Sequence, residues 1–420
     1  MDKGELFKSA RNPGSPAFLR VKTRLAIALS GAMAIAFYSN LQPTLPLGGF
    51  DPASVFAGGA QGVFFDASDL KTLYQETAGV TPTTAAGQYV GLQFDKSKGA
   101  SVSTINSATL TTVAGVPIGG PTLTQYTIAT GLVVGRWYKV SATVSGYSGS
   151  ATVGFTSGSS AFGANSNGAL STGYGTLTGN GKIEFVALAA ASTQTIFTRD
   201  TNTATFSNIS IREIAGNHRF QATSADRPIL RYNWVTGAHY LEYNGSNSWM
   251  VTNAIDFTAT DKVSVFAGLR KLSDAARGVF VELGNNQNGT FVVDAPVGTP
   301  PAGSPLRFIS RGTLAPEAAA LVGDASLYAP VSLVVAGFGD ISAPLARLMV
   351  NGVQVAQTLS SQGSGNYIAA SIHFGRRAGT SLPFNGHEYV TLIVGLLTTA
   401  EQTKGISQFC ARRVGVQLAA

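Results

Sequence analysis

WYKVSATV (residues 137–144) alternates apolar or bulky side chains with small polar ones at a period of two. That period sends successive side chains to opposite faces of an extended chain, which is the pattern of a half-buried strand and not of a helix. The same alternation recurs at Ser150 to Phe155, Gly181 to Val186 (GKIEFV) and Thr203 to Ile211 (TATFSNISI). Valine, isoleucine, threonine and aromatics fill these runs. Glycine, asparagine and serine fill the gaps, with turn signals every 8–12 residues. Short strands punctuated in this way predict an all-β sandwich.

Working outward, a second β stretch begins near Arg227. Its expected strands are Tyr240 to Tyr243, Lys262 to Leu269, Val279 to Leu283, Thr290 to Val293, Leu306 to Ser310, Val331 to Phe338, Ala346 to Val350, Ile372 to Gly375 and His387 to Leu396. Asn351-Gly352 is the dipeptide of a type I′ hairpin turn. No long amphipathic pattern occurs between about residues 100 and 395. A helix is expected to close the chain, capped by Thr398 or Thr399, with Glu401 in its first turn and its end near Arg412 or Arg413.

The 420 residues leave room for two or three domains and a large core. Only 12% are charged, 49 are glycine, and one is cysteine, Cys410. A lone thiol excludes an intrachain disulfide framework and thiolate-rich zinc sites. The four histidines, His218, His239, His373 and His387, are too scattered for a local metal motif. More than half of the net charge of +7 comes from the first 24 residues, where Lys3, Lys8, Arg11, Arg20, Lys22 and Arg24 face only Asp2 and Glu5. The remainder is close to neutral and lacks the concentrated basic face of a nucleic-acid-binding domain.

Leu25 to Tyr38 (LAIALSGAMAIAFY) is an apolar run behind that basic lead. It is short for a membrane span, which takes about 20 residues. It resembles the core of a secretory signal, but the lead is long and Pro13 and Pro16 interrupt it. The expectation is an extended or helical arm that docks the protein on an assembly, with Arg20, Lys22, Arg24, Leu25, Ile27, Phe37 and Tyr38 making the contact. A retained signal or anchor, or a local helix on its own domain, are the alternatives. Gln42 to Gly62 is rich in proline and glycine and reads as a linker with one short helix capped by Asp51 or Ser54.

Three resemblances extend this reading. HYLEYNGSNSWMVT (239–252), IDFTATDKVSVFAGLR (255–270), LARLMVNGVQVA (345–356), IHFGRRAG (372–379) and PFNGHEYVTLIVGLLTTAEQ (383–402) stand in the order of a laminin-G or concanavalin-A-like sandwich, so residues 227–415 resemble that family. GRWYKVSATVSGYSGSATVGF (135–155) and the closing ATFSNISIREI resemble a carbohydrate-binding jelly roll over 101–214. Residues 50–99, with VGLQFDKSKG, and 216–230, GNHRFQATSADRPIL, are similar to bacteriophage tail-fibre or minor structural proteins in which the two segments run on directly. Their separation here implies that the jelly roll is inserted. The expected organisation is an arm and linker at 1–61, a discontinuous laminin-G-like sandwich at 62–99 plus 216–420, and a jelly roll at 100–215.

Glycosidases on a concanavalin-like scaffold need two carboxylates close together. No E-x-D-x-E strand supplies them. Glu282, Glu388 and Glu242 each stand alone, and Glu388 is expected at the rim, bonding a hairpin. There is no G-x-S-x-G elbow and no phosphate loop. The chain therefore reads as a non-enzyme without a required cofactor. The laminin-G resemblance implies calcium at the sandwich rim through Asp256, Asp261, Asp274 or Asp340, although none has the spacing of a strong calcium loop. Saccharide binding calls for exposed rings beside amide or imidazole groups, and Trp234, His239, Asn247 and Trp249 are the candidates. Trp137 and Tyr138 alternate, so one of the two is expected to point inward.

The resemblances imply a virion structural protein, as tail fibre, spike or head fibre, assembled in the bacterial cytoplasm. Its expected partners are other virion proteins, further copies of itself in a trimer, and host-surface glycans, with no nucleic acid and no membrane. The alternatives are a capsid decoration or cement protein that binds no sugar, and a secreted bacterial lectin or glycan hydrolase with residues 1–38 as its signal.

Overall fold

The computed structural model describes residues 50–98, 110–112, 123–150, 153–155, 176–199, 203–298, 303–319 and 324–419. The expected docking residues Arg20, Lys22, Arg24, Leu25, Ile27, Phe37 and Tyr38 lie outside the described residues. The described residues are all-β apart from short 3-10 turns and the C-terminal helix, and the strands pair antiparallel.

Strands drawn from residues 110–214 pair only with one another. Leu110–Thr112, Thr203–Ile214, Trp137–Ser148 and Gly181–Leu188 form one four-stranded sheet; Leu123–Thr130, Thr193–Arg199, Val153–Phe155 and Thr176–Leu177 form the other. Alternation decides what lies between them. Tyr138, Val140, Ala142 and Val144 face the core, where Ile183, Phe185, Phe206 and Ile211 meet them. Both members of the Trp137-Tyr138 pair are buried, at 2% and 3% exposure, where alternation predicted one. The reason is a second apolar surface: Trp137, Val186 and Leu188 leave the opposite face of the same sheet and pack on Leu92 and Phe220 of the larger sandwich.

The larger sandwich takes its strands from both sides of that insertion. One sheet runs Ile229–Asn233, Ala238–Asn244, Asn385–Val394, Lys262–Lys271, Val331–Asp340, Leu345–Val350 and Val353–Thr358, with Gly62–Asp66 also paired to Asn385–Val394. The facing sheet runs Leu73–Tyr74, Leu92–Gln93, Arg219–Phe220, Met250–Thr252, Ile372–Phe374, Val279–Leu283, Thr290–Asp294, Arg307–Arg311 and Glu317–Ala319. The main core, including Phe65, Leu241, Val265, Leu269, Val281, Phe308 and Phe374, fills the gap. Asn351 and Gly352 take φ of +49° and +85°, as a type I′ turn requires.

The two ends of the insertion are locked together. Gln93 pairs with Arg219 and Leu92 with Phe220 across adjacent strands. Just beyond, buried Asp95 accepts from the backbone N–H of Phe64 (2.8 Å), Ser97 (2.8 Å) and Asn217 (2.7 Å). His218 Nδ1 accepts from the Asp95 N–H at 2.9 Å, and Nε2 faces the Ile214 carbonyl at 2.9 Å. That pattern needs a neutral imidazole with its proton on Nε2. Burial accordingly holds the His218 pKa below its ordinary value, against the pull of Asp95.

A third layer covers the outer face of the first sheet. The C-terminal helix Ala400–Val414 starts at a Thr399–Gln402 capping box and ends at Gly415 with φ +78°. Its Ile406, Cys410, Ala411 and Val414 pack on Phe266, Val334, Tyr389 and Val390. The 3-10 helix Pro52–Phe56, capped by Asp51, adds Val55 and Phe56 to the same cluster. The stretch from residue 50 onward therefore packs on the sandwich, where a linker was expected.

Glu388 is a correction of a different kind. It lies in the middle of the main core at 1% exposure, not at a rim hairpin. Both of its oxygens accept from Arg219 Nη1 at 2.8 Å, and Oε2 also accepts from the Tyr243 hydroxyl at 2.8 Å. Arg219 in turn donates to Gln93 and lies between the rings of Phe65 and Phe374. A buried charge pair is tolerated only when its remaining hydrogen bonds are also made, and this network joins the two sheets through such a pair.

Candidate functional site

The hairpin of Ile229–Asn233 and Ala238–Asn244 carries the most exposed large ring in the described structure. Trp234 is 85% exposed and Val235 beside it 95%. Isolated apolar side chains on a surface are ordinary, but an indole presented almost whole to water at a hairpin tip is a contact surface in waiting. The tip is held firmly. The Asn233 side chain accepts from Val235 N–H at 3.0 Å and donates to the Tyr389 hydroxyl at 2.9 Å, and Gly237 turns the chain with φ +69°.

Tyr232 and His239 are cross-strand partners directly behind the tip. Trp234 meets Tyr232 edge-on at 4.7 Å, and Tyr232 meets His239 at 4.8 Å. The Ser68 hydroxyl accepts from the His239 N–H at 3.0 Å. Burial, followed by the nearby Arg413, lowers the His239 pKa, so the imidazole is neutral at pH 7 and offers one donor and one acceptor. Trp234, Tyr232 and His239 thus form a three-ring ledge with polar edges.

Asn247 and Trp249 are not part of it. They lie past the other end of strand Ala238–Asn244, roughly 20 Å away at about 3.3 Å per strand residue. The Asn247 amide donates to the Ala225 carbonyl at 2.8 Å and Asp226 at 2.7 Å, and its oxygen accepts from Asn244 at 2.8 Å, so it is engaged in fixing its own loop. Trp249 is half-buried, stacked on His373 at 5.9 Å and pressed against Gly379. The structure therefore separates the four expected sugar-binding residues into exposed Trp234 with half-buried His239 behind it, and Asn247 and Trp249 at the other end of the strand, each engaged in local packing or hydrogen bonds.

Sequence reasoning missed a second polar surface on the outer face of the first sheet, beside the end of the C-terminal helix. A register shift between Gly268 and Leu269 leaves Tyr389 as an unpaired bulge residue on strand Asn385–Val394. Tyr389, His387 and Tyr240 gather there, with Tyr240 stacked on His387 at 4.1 Å and 22°. Arg231 pairs with Glu242 at 2.8 Å. Alternation in HYLEY (239–243) and GHEYV (386–390) marks which of these residues share a face, but the pairing that brings the strands together is invisible before folding.

The carboxylates do not assemble into a hydrolytic pair. Fully buried Glu282 is held by Arg377 Nε at 3.0 and 3.1 Å, Glu388 by Arg219, and Glu242 by Arg231. The expected calcium ligands do not converge either. Asp256 bonds its own neighbour Thr258, and Asp274 holds Lys271 at 2.7 Å. Asp261 and Asp340 do approach one another, but the Lys262 ammonium lies 2.9 Å from one and 3.5 Å from the other. The Lys262 ammonium thus bridges these two carboxylates. Among the described residues no three histidine, cysteine or acidic side chains are placed to hold a metal.

No protein-family model and no curated protein matches this chain. Among solved structures it is similar to the CBM40 of the Ruminococcus gnavus IT-sialidase bound to alpha2,3 sialyllactose, at 18% identity over 35% of this chain and 83% of that one, with a TM-score of 0.29. It is also similar to the receptor binding domain of botulinum neurotoxin D, at 11% identity over 45% of this chain, with a TM-score of 0.34. The chain spans half the length of that second domain.

Proposed function

We propose that this chain is a non-catalytic, glycan-binding β-sandwich protein that a bacteriophage virion carries by an N-terminal arm ahead of residue 50 and displays to the host surface. The observation that carries the binding half is the ledge of Trp234, Tyr232 and His239, with Trp234 85% exposed on a hairpin whose turn is fixed by hydrogen bonds. A flat indole face covers the C–H face of a pyranose ring, and the neutral imidazole supplies a donor and an acceptor for its hydroxyls. Each of Glu242, Glu282 and Glu388 is neutralised by its own arginine, which supports a binding role over hydrolysis.

The virion half rests on the resemblance carried by residues 50–99 and 216–230. Its test compares the full chain with a chain beginning at residue 50, which keeps the packed Pro52–Phe56 helix, for incorporation into purified particles. Loss of incorporation with the sandwiches still folded supports docking through the arm. Unchanged incorporation refutes it and favours a decoration protein held by its sandwiches. The binding half is tested by titrating the full chain and its Trp234→Ala variant with a glycan panel, with the weakening expected to be tenfold or more, about 1.4 kcal/mol.

A further inference from the structure

We infer that the outer face of the first sheet holds a second saccharide site, specific for a carboxylated sugar, in which the Arg270 guanidinium receives the carboxylate and the Tyr240–His387 stack receives the ring. This site is separate from the Trp234 ledge, and its success or failure is independent of what the ledge binds.

Register places the residues in one row across three hydrogen-bonded strands. Glu242 pairs with His387, and His387 pairs with Arg270. Ser332 pairs with Arg270 on the far side and continues the row. Neighbouring strands are about 4.8 Å apart, so the distance from the tyrosine–histidine stack to Arg270 is that of one sugar ring with an acidic substituent.

The charges are unequal in a way that matters. Arg231 is spent on Glu242, at 2.8 Å. Arg270 has no ion-pair partner among the described residues, and its buried Nε has no hydrogen-bond partner. The buried Nδ1 of neighbouring His387 is also without a partner. A half-buried guanidinium with its fork uncommitted matches a carboxylate in shape and charge. One free cation fits one monoanionic group. A polyphosphate backbone would require several, and the chain beyond the arm is nearly neutral. Burial and the two arginines hold His387 at about 4, against the pull of Glu242, so the imidazole is neutral and leaves Arg270 as the anion's partner.

The experiment titrates the full-length protein with the methyl glycosides of glucuronic acid, galacturonic acid and N-acetylneuraminic acid. Methyl glucoside and sodium acetate at matched ionic strength are the controls. At least one carboxylated sugar is expected to bind at least tenfold more tightly than either control. Arg270→Gln is expected to abolish that preference, and Arg270→Lys to reduce it partially because charge survives without the fork. An unchanged thermal midpoint in Arg270→Gln separates lost binding from lost folding, and Arg270→Lys serves if Arg270→Gln does not fold. The inference is overturned if no acidic sugar binds better than methyl glucoside, if acetate binds as well as the sugars, or if both Arg270 variants keep the wild-type preference.

Discussion

Glu388 shows how a single residue can be read correctly in type and wrongly in place. Sequence shows a lone carboxylate in NGHEYV, read as a rim carboxylate bonding a hairpin. Its partner Arg219 lies 169 positions away in sequence and becomes visible only when the two sheets close. Removing the carboxylate leaves Arg219 charged and buried between Phe65 and Phe374, so Glu388→Ala is expected to cost about 3–5 kcal/mol in urea unfolding. A loss below about 1 kcal/mol would show that the network is dispensable. Trp137 teaches the complementary lesson. Two-residue alternation is a rule for a sheet with one buried face, and the sheet that carries Trp137 is covered on both. For Trp234 and Asn247 the sequence offers the same kind of signal, a polar-flanked loop residue, yet one side chain stands in water and the other is consumed by its own turn.

At the scale of elements, pattern was a good guide. Strands Lys262–Lys271, Val279–Leu283, Thr290–Asp294, Val331–Asp340 and Leu345–Val350 fall where alternation or continuous apolar runs placed them, to within two residues at each end. The turn at Asn351-Gly352 and the Thr399 cap follow from local chemistry alone, because positive φ and an orphan helix N–H are problems that few residues solve. What local chemistry does not encode is which strands become neighbours. Strand Asn385–Val394 pairs with Gly62–Asp66, Ala238–Asn244 and Lys262–Lys271, and its bulge at Tyr389 assembles the second polar surface from three distant segments. The ledge is legible in part: the aromatic sequence YNW is plain, but the cross-strand contact of Tyr232 with His239 depends on hairpin register.

For the whole molecule, the neutral state of the histidines links stability to pH. His218, His239, His373 and His387 are all held below their ordinary value, foremost by burial, with His373 and His387 at about 4. The unfolded chain therefore takes up protons first as pH falls. The stabilisation is present above about pH 6.5 and is lost on acidification toward 4. Buried Glu282, whose pKa burial raises, acts in the opposite direction but as a single group. The thermal midpoint is expected to fall steadily between pH 7 and pH 4.5 in calorimetry, and a flat or rising midpoint would contradict these assignments. His218 gives the effect a location, since its protonation ends the acceptor role toward Asp95 N–H at the junction where the inserted strands leave and rejoin the larger sandwich.

Binding at the exposed ledge is the claim on which the functional reading depends, and one titration reaches it directly. The full-length protein and its Trp234→Ala variant are measured by calorimetry against each member of a neutral and acidic glycan panel. At least one glycan is expected to bind the parent protein and to lose tenfold or more in affinity with the variant, while the thermal midpoint stays unchanged because Trp234 is 85% exposed. Equal affinity of the two proteins for every glycan that binds, or no binding by the parent protein, would remove the ledge from any account of what this protein does.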